Sequence, residues 1–184
     1  PQPGRFRLAQ GQGGAAAAPL TTIGVMPKTH GMACSRAIPV DPRTAMRRTL
    51  ELPLPTLFNR WYGPLGPVRA VYEYQSEPWG TAGQVRSIVQ AGGTTLREEL
   101  TRVDEPSMFG YTLTKITGPL GPLVDHIDGQ WMFAPVGTGT KVMWFWTVHP
   151  KTDLAGYAMP AFARIWKGFA RQALEQLSDE LLRG

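Results

Sequence analysis

Residues 162–181, FARIWKGFARQALEQLSDEL, place Phe162, Trp166, Phe169, Ala173 and Leu177 at steps of three and four, with Ile165, Leu174 and Leu181 flanking them. That is one broad apolar stripe on a helix with a charged back. The helical period reaches from Asp153 to Leu182. Asp153 is the expected N-cap, and Pro160 must lie in the first turn or start the helix afresh. A helix with one apolar face has to be buried against something, and the residues that precede it supply the partner.

Upstream the period is two. Residues 69–75, 84–90, 94–103, 108–117, 127–135 and 140–149 read as strands, separated by turn signals: Pro78-Trp79-Gly80, Gly92-Gly93, Asp104-Glu105-Pro106, the 118–122 loop and Gly137-Thr138-Gly139. Each connection is short enough for a hairpin, so an antiparallel meander is the economical topology. Before it, Met32 to Val40 reads as a first strand. Asp41 caps a helix that begins at Pro42 and stops at Leu52-Pro53. A second short helix is expected over Thr56–Trp61. The pentapeptide Gly-Pro-Leu-Gly-Pro occurs twice, at 63–67 and 118–122, and implies two rigid loops of similar shape. The expected fold is α+β: a curved antiparallel sheet of about seven strands wrapped round the long C-terminal helix, with two short helices after strand 1.

The chain has 184 residues and a formal net charge of +5. Residues 1–31 carry Arg5, Arg7 and Lys28 and no acid; residues 32–184 hold 16 Lys/Arg against 14 Asp/Glu. The basic excess therefore lies largely on a Gly/Ala/Pro/Gln-rich segment, 1–31, which reads as a flexible tail. The domain, 32–184, is nearly neutral, and its composition offers no basic patch for nucleic acid. The tail lacks the apolar h-region of a signal peptide. No apolar run approaches the ~20 residues of a membrane span, so stable membrane insertion is not expected. A cytoplasmic location is expected. One cysteine, Cys34, excludes an internal disulfide framework.

The strands show what faces the helix. Leu96, Glu98 and Leu100 alternate on one face of 94–103, with Arg97, Glu99 and Thr101 on the other. The apolar face should look inward, which puts Glu98 between two leucines. A carboxylate there needs a partner or has a raised pKa. Three readings stay open: a structural partner such as Arg86, a register slip that turns Glu98 outward, or a ligand-facing role. Phe109, Tyr111 and Leu113 share a face on the next strand. Ile127, Gly129, Trp131 and Phe133 share another, with Gly129 leaving a gap fit for a close approach or a cavity wall. On 140–149, Val142, Trp144, Trp146 and Val148 are taken as the inward face. Met143, Phe145 and Thr147 are nearly as apolar, and a second subunit could cover them, so a homodimer is a candidate partner. Tyr111, Trp131, Trp144, Trp146, Phe162, Trp166 and Phe169 then converge on the space between sheet and helix. They are either plain core or the lining of a ligand cavity, whose polar contents would satisfy buried O–H and N–H groups.

Absent motifs narrow the chemistry. There is no HxxxH, HExxH or Cys/His cluster, so no metal site is expected. There is no GxSxG, P-loop or dinucleotide fingerprint, and no cofactor is expected. His126, flanked by Asp125 and Asp128 just ahead of strand 127–135, is either a solvated loop residue or a general acid/base.

The order β-α-α-β6-α resembles the START-like, helix-grip superfamily (SRPBCC), which includes the birch-pollen allergen and the polyketide cyclase/dehydrase group. The residues that carry the resemblance are Gly83-Gln-Val-Arg86, Gly92 to Glu98, Asp104-Glu-Pro106, Phe109-Gly-Tyr111, Gly129-Gln-Trp131, Gly139-Thr-Lys-Val-Met-Trp144, Pro150 and the terminal helix. It spans about residues 32–182, and the order and spacing carry it more than any single motif. It implies a cavity for a hydrophobic small molecule, such as a lipid, quinone or polyketide. Arg86, Leu96, Glu98, Leu100, Phe109, Tyr111, Trp131, Phe133, Trp144, Trp146, Phe162, Trp166 and Phe169 are the expected lining. By its spacing to Asp104, Glu98 resembles the glutamate through which plant hormone receptors of the superfamily contact ligand by way of water. Tyr111 and Trp131 approximate their aromatic positions. The receptors' gate loop is missing, so hormone reception is not implied. Binding or transport is the first functional expectation. A cyclase/aromatase using Glu98, Tyr111 or His126 for proton transfer is the second, and an interaction module on the outer sheet face is the third.

Overall fold

The computed structural model describes residues 28–183. In chain order these form β1 (His30–Ile38), α1 (Pro42–Glu51), α2 (Leu54–Leu57), β2 (Val68–Glu73), β3 (Val85–Gln90), β4 (Thr95–Asp104), β5 (Met108–Thr114), β6 (Val124–Val136), β7 (Gly139–Pro150), α3 (Asp153–Gly156) and α4 (Met159–Leu182). The expected flexible tail falls almost wholly on residues 1–27, outside the described residues. β1 starts at His30, two residues ahead of the expected Met32.

The strands make one antiparallel sheet in the order β1-β7-β6-β5-β4-β3-β2. β2 to β7 are the expected meander, and β1 joins it by pairing along β7 from His30↔Val148 to Ile38↔Thr140. α4 lies across the inner face, packed on β1, α1 and α2. This is the helix-grip arrangement.

Local chemistry explains the element ends. The Asp41 carboxylate accepts the Thr44 amide at 3.0 Å and Pro42 opens α1, as expected. That amide hydrogen bond holds the Asp41 carboxyl below its ordinary pKa. At the C-terminal end the expected single helix is two. The N-cap of α3 is Thr152, not Asp153: Thr152 Oγ1 accepts the Ala155 amide at 3.1 Å. The chain then restarts as α4 with Pro160 in its first turn, where the missing N–H costs nothing. The second short helix covers Leu54–Leu57 rather than Thr56–Trp61, because Pro55 favours the first turn.

The face of β7 is settled. Val142, Trp144, Trp146 and Val148 are buried under α4, and Met143, Phe145 and Thr147 are half-buried on the outer face. β6 begins at Val124, so His126 lies within a strand and not ahead of it.

α4 is anchored at its far end by one side chain of α1. Arg48 donates from Nη1 to the Leu181 carbonyl (2.9 Å) and from Nη2 to the Glu180 carbonyl (2.6 Å). These carbonyls belong to the last turn, which has no intrahelical donors, and a cation is favoured at that end of the helix dipole. Arg48→Ala is expected to cost about 2 kcal/mol, since hydrogen bonds to a charged group each contribute roughly 1.5–3 and this one is only partly buried. Urea unfolding checks this; an unchanged midpoint would show that the clamp contributes nothing.

A candidate ligand cavity between sheet and helices

The inner face of β3–β7 and the helices α1, α2 and α4 enclose a cavity of about 100 Å³ that opens to solvent. A single water needs ~10–15 Å³ in this measure, so there is room for several waters or part of a small ligand. The wall is mostly apolar. Leu50, Leu54, Leu57 and Phe58 close it from the helical side, and Ile88, Leu96, Phe109 and Leu113 from the sheet. Phe162 and Phe169 are contributed by α4. Both Gly-Pro-Leu-Gly-Pro loops reach it, through Pro64 and Leu65 of the first and Pro119 and Leu120 of the second. Pro64 and Pro119 are exposed, so the two loops sit at the mouth.

Much of the interior is filled by aromatic rings. Trp131 stacks on Trp144 at 4.8 Å and 10°, Trp146 meets Trp144 edge-on at 5.6 Å, and Phe58 stacks on Phe169 at 5.3 Å. The cavity is what these rings leave open.

Two polar constructions face this apolar space. In the first, Arg86 and Glu98 are direct partners across β3 and β4. Arg86 Nε donates to Glu98 Oε2 at 2.5 Å, and the two residues are 7% and 6% exposed. Of the three readings of Glu98, the structure has it inward and paired with Arg86, and both residues line the cavity. The guanidinium carbon also lies 3.9 Å from the ring centre of Trp79, a cation–π contact that fixes its plane.

The second construction is centred on Tyr111. Its hydroxyl oxygen accepts the indole N–H of Trp144 at 2.7 Å and of Trp146 at 2.8 Å. These two buried indoles thus find their partner in a tyrosine hydroxyl. Tyr111 can sit there because β6 has no side chain at Gly129: a Cβ at that position would lie 2.1 Å from Tyr111 Cζ. The gap in the β6 row is therefore a seat for the phenol ring. With two N–H groups on its oxygen, no acceptor among the described residues takes the Tyr111 O–H proton.

Burial, and after it the negative charge of Glu98, push the Tyr111 phenol well above its ordinary pKa of 10.0. It stays protonated across the physiological range. The linkage sign follows: above about pH 10 the unfolded chain releases this proton and the folded chain does not, so stability present below pH 10 falls as pH rises. Unfolding titrated from pH 8 to 11 should show a steeper loss in the native protein than in Tyr111→Phe. Parallel curves would rule the linkage out.

Of the thirteen expected lining residues, ten line the cavity: Arg86, Leu96, Glu98, Phe109, Tyr111, Trp131, Trp144, Trp146, Phe162 and Phe169. Leu100, Phe133 and Trp166 do not. They face inward but are consumed by core packing: Phe133 stacks on Phe109 at 6.0 Å, and Trp166 lies against Trp144 and Trp146 at 5.2 and 5.5 Å. Trp166 Nε1 is buried with no hydrogen-bond partner. His126, the third expected acid/base candidate, is on the outer face of β6, away from Glu98 and Tyr111. Trp79, Phe58, Gln90 and Thr94 line the cavity without having been expected there. Trp79 lies in an irregular segment that carries no period, and Phe58 just past the end of α2. The only sequence signal for Trp79 is an aromatic inside a turn.

Residues 29–181 match the family described as polyketide cyclase/dehydrase and lipid transport. A search of curated proteins returns no match. Solved structures share the fold at low identity. Major latex-like protein 151 of Panax ginseng is 12% identical, with a TM-score of 0.64 over 84% of this chain and 98% of its own. The protein TTHA0849 of Thermus thermophilus is 18% identical, with a TM-score of 0.61 over 84% and 98%. A norcoclaurine synthase point mutant of Thalictrum, in complex with a transition-state analogue, is 14% identical, with a TM-score of 0.64 over 86% and 98%.

Proposed function

The chain belongs to the polyketide cyclase/dehydrase and lipid-transport family, and from that premise we propose that it binds, and carries, a hydrophobic small molecule bearing at least one oxygen acceptor. One observation supports this above the others: an apolar cavity with an uncommitted Tyr111 O–H and the Arg86–Glu98 pair in its wall. Apolar walls supply the affinity, and a few fixed polar groups set the orientation. A carbonyl or phenol oxygen of a lipid, quinone or polyketide would accept from Tyr111. The pair Arg86–Glu98 would hold a second oxygen directly or through water. The ligand reaches the cavity between the two proline-rich loops. Among the described residues no helix is long and apolar enough to cross a membrane, and a cytoplasmic carrier fits this reading.

A cyclase-type enzyme is the second reading. The norcoclaurine synthase fold shows the same architecture housing catalysis. Here, however, Tyr111 is held neutral and Glu98 is tied to a guanidinium. These groups suit the placing of a ligand oxygen better than the moving of a proton.

The test is saturable binding of 1-anilinonaphthalene-8-sulfonate followed by displacement with quinones and fatty acids. Stoichiometry of one is expected. Leu120→Trp, at the half-buried mouth, should weaken binding tenfold or more with little loss of stability. Binding that is non-saturable, or equal in Leu120→Trp, would place the dye elsewhere and remove the support.

A further inference from the structure

The outer face of the sheet brings together three metal-ligating side chains. His126 and His149 are direct cross-strand partners on β6 and β7. Asp128 is two residues beyond His126 and so shares its face. The imidazole rings stack at 3.9 Å and 16°. Asp128 Oδ2 is 2.9 Å from His149 Nε2 and 4.0 Å from His126 Nε2. One ligand atom from each of the three residues can be chosen so that all lie within 4.8 Å of one another.

Two of the three ligands, His126 and Asp128, have a further partner behind them. His126 Nδ1 is 2.8 Å from Asp125 Oδ2, which draws the ring proton to Nδ1 and leaves the Nε2 lone pair free. Thr112 Oγ1 donates to Asp128 Oδ1 at 2.9 Å, so Oδ2, hydrogen-bonded to His149 Nε2 at 2.9 Å, is the oxygen turned toward the two imidazoles. A carboxylate behind a histidine and a hydroxyl behind a carboxylate are the supports that orient metal ligands. All three ligands are partly open to solvent, so side-chain rotation can bring the atoms to the edge of about 3.3 Å that 2.0–2.1 Å metal–ligand bonds need.

We propose that His126, Asp128 and His149 form a site for a first-row divalent ion, Zn²⁺ foremost, with the fourth position open to water. Two imidazoles and one carboxylate suit Zn²⁺, Cu²⁺ and Ni²⁺ rather than Ca²⁺ or Mg²⁺. The site is on the side of the sheet opposite the cavity and ties β6 to β7. The ligands come from two strands at a spacing that no linear motif describes, so a search for contiguous metal motifs passes over them.

The experiment is zinc titration of the EDTA-treated full chain, read by calorimetry and by thermal unfolding, with Co²⁺ absorption as a readout of coordination. One equivalent of Zn²⁺ should raise the unfolding temperature, and Mg²⁺ should not. His149→Gln and Asp128→Asn should abolish the rise while unfolding like the native protein in EDTA. Asp125→Asn should weaken affinity 10–100-fold. His30→Ala, the remaining histidine, should bind as the native chain does. The proposal is overturned by the absence of a zinc-dependent shift. It is equally overturned by a shift that survives in both His149→Gln and Asp128→Asn, which would mark adventitious binding elsewhere.

Discussion

Gly129→Ala is expected to destabilise the protein by at least about 3 kcal/mol, although it adds a single methyl group. That methyl would lie 2.1 Å from Tyr111 Cζ and 2.5 Å from its hydroxyl oxygen. No small adjustment relieves such an overlap, because Tyr111 is pinned by Trp144 and Trp146 and the backbone beneath it is paired strand on both sides. Overpacking a core costs roughly 1–3 kcal/mol. Turning the phenol away then leaves two buried indole N–H groups without an acceptor, each at roughly 1–3. A double-mutant cycle isolates the cause. In a Tyr111→Ala background the same Gly129→Ala change should cost less than about 1 kcal/mol, since the ring it collides with is gone. If the cost is equal in both backgrounds, Gly129 matters for some reason other than seating Tyr111. Ligand affinity should fall with the single variant, because the Tyr111 O–H is displaced along with the ring.

The second large effect is expected at the buried ion pair. Arg86→Met leaves Glu98 as an uncompensated carboxylate among apolar side chains, and removal of one partner of such a pair costs about 3–5 kcal/mol. Arg86→Met/Glu98→Leu should recover most of that loss, because apolar replacement of both partners removes the desolvation penalty together with the attraction. The double variant should still lose ligand affinity. Stability that returns while binding does not is the signature of a pair kept for the ligand rather than for the fold. If binding returned too, the pair would be structural only.

The fold is largely legible in the sequence because periodicity reports faces. The stripe from Phe162 to Leu177 marks α4, and alternation through Leu96, Glu98 and Leu100 favours Glu98 inward, whereas its pairing with Arg86 is one of three open readings until the β3–β4 register is known. The misses share one physical reason. A period tells which way a side chain points but not what lies opposite it. Leu100, Phe133 and Trp166 point inward just as Tyr111 does, yet they meet packed side chains and not open space. Trp79 escapes such a reading because an irregular segment has no period, and Phe58 because it lies just past the end of α2, where the sequence reads as helix up to Trp61. Gly129 reads as a gap, and only the three-dimensional neighbour shows that Tyr111 fills it. The pairing of His126 with His149 depends on the β6–β7 register, which no local pattern encodes. The helix break before Pro160 is one of the two outcomes the sequence allows, whereas the cap at Thr152 is hidden behind the equally suitable Asp153 beside it.

The central claim is that the space between sheet and helices is a ligand site and not merely a packing remnant. Native mass spectrometry of the full chain isolated gently from its own cells tests it most directly. The account predicts an added mass that corresponds to one hydrophobic, oxygen-bearing molecule. That mass should be lost on organic extraction, regained on reloading, and absent from Leu120→Trp. A bare protein mass, both as isolated and after incubation with quinones, fatty acids and polyketides, would contradict it.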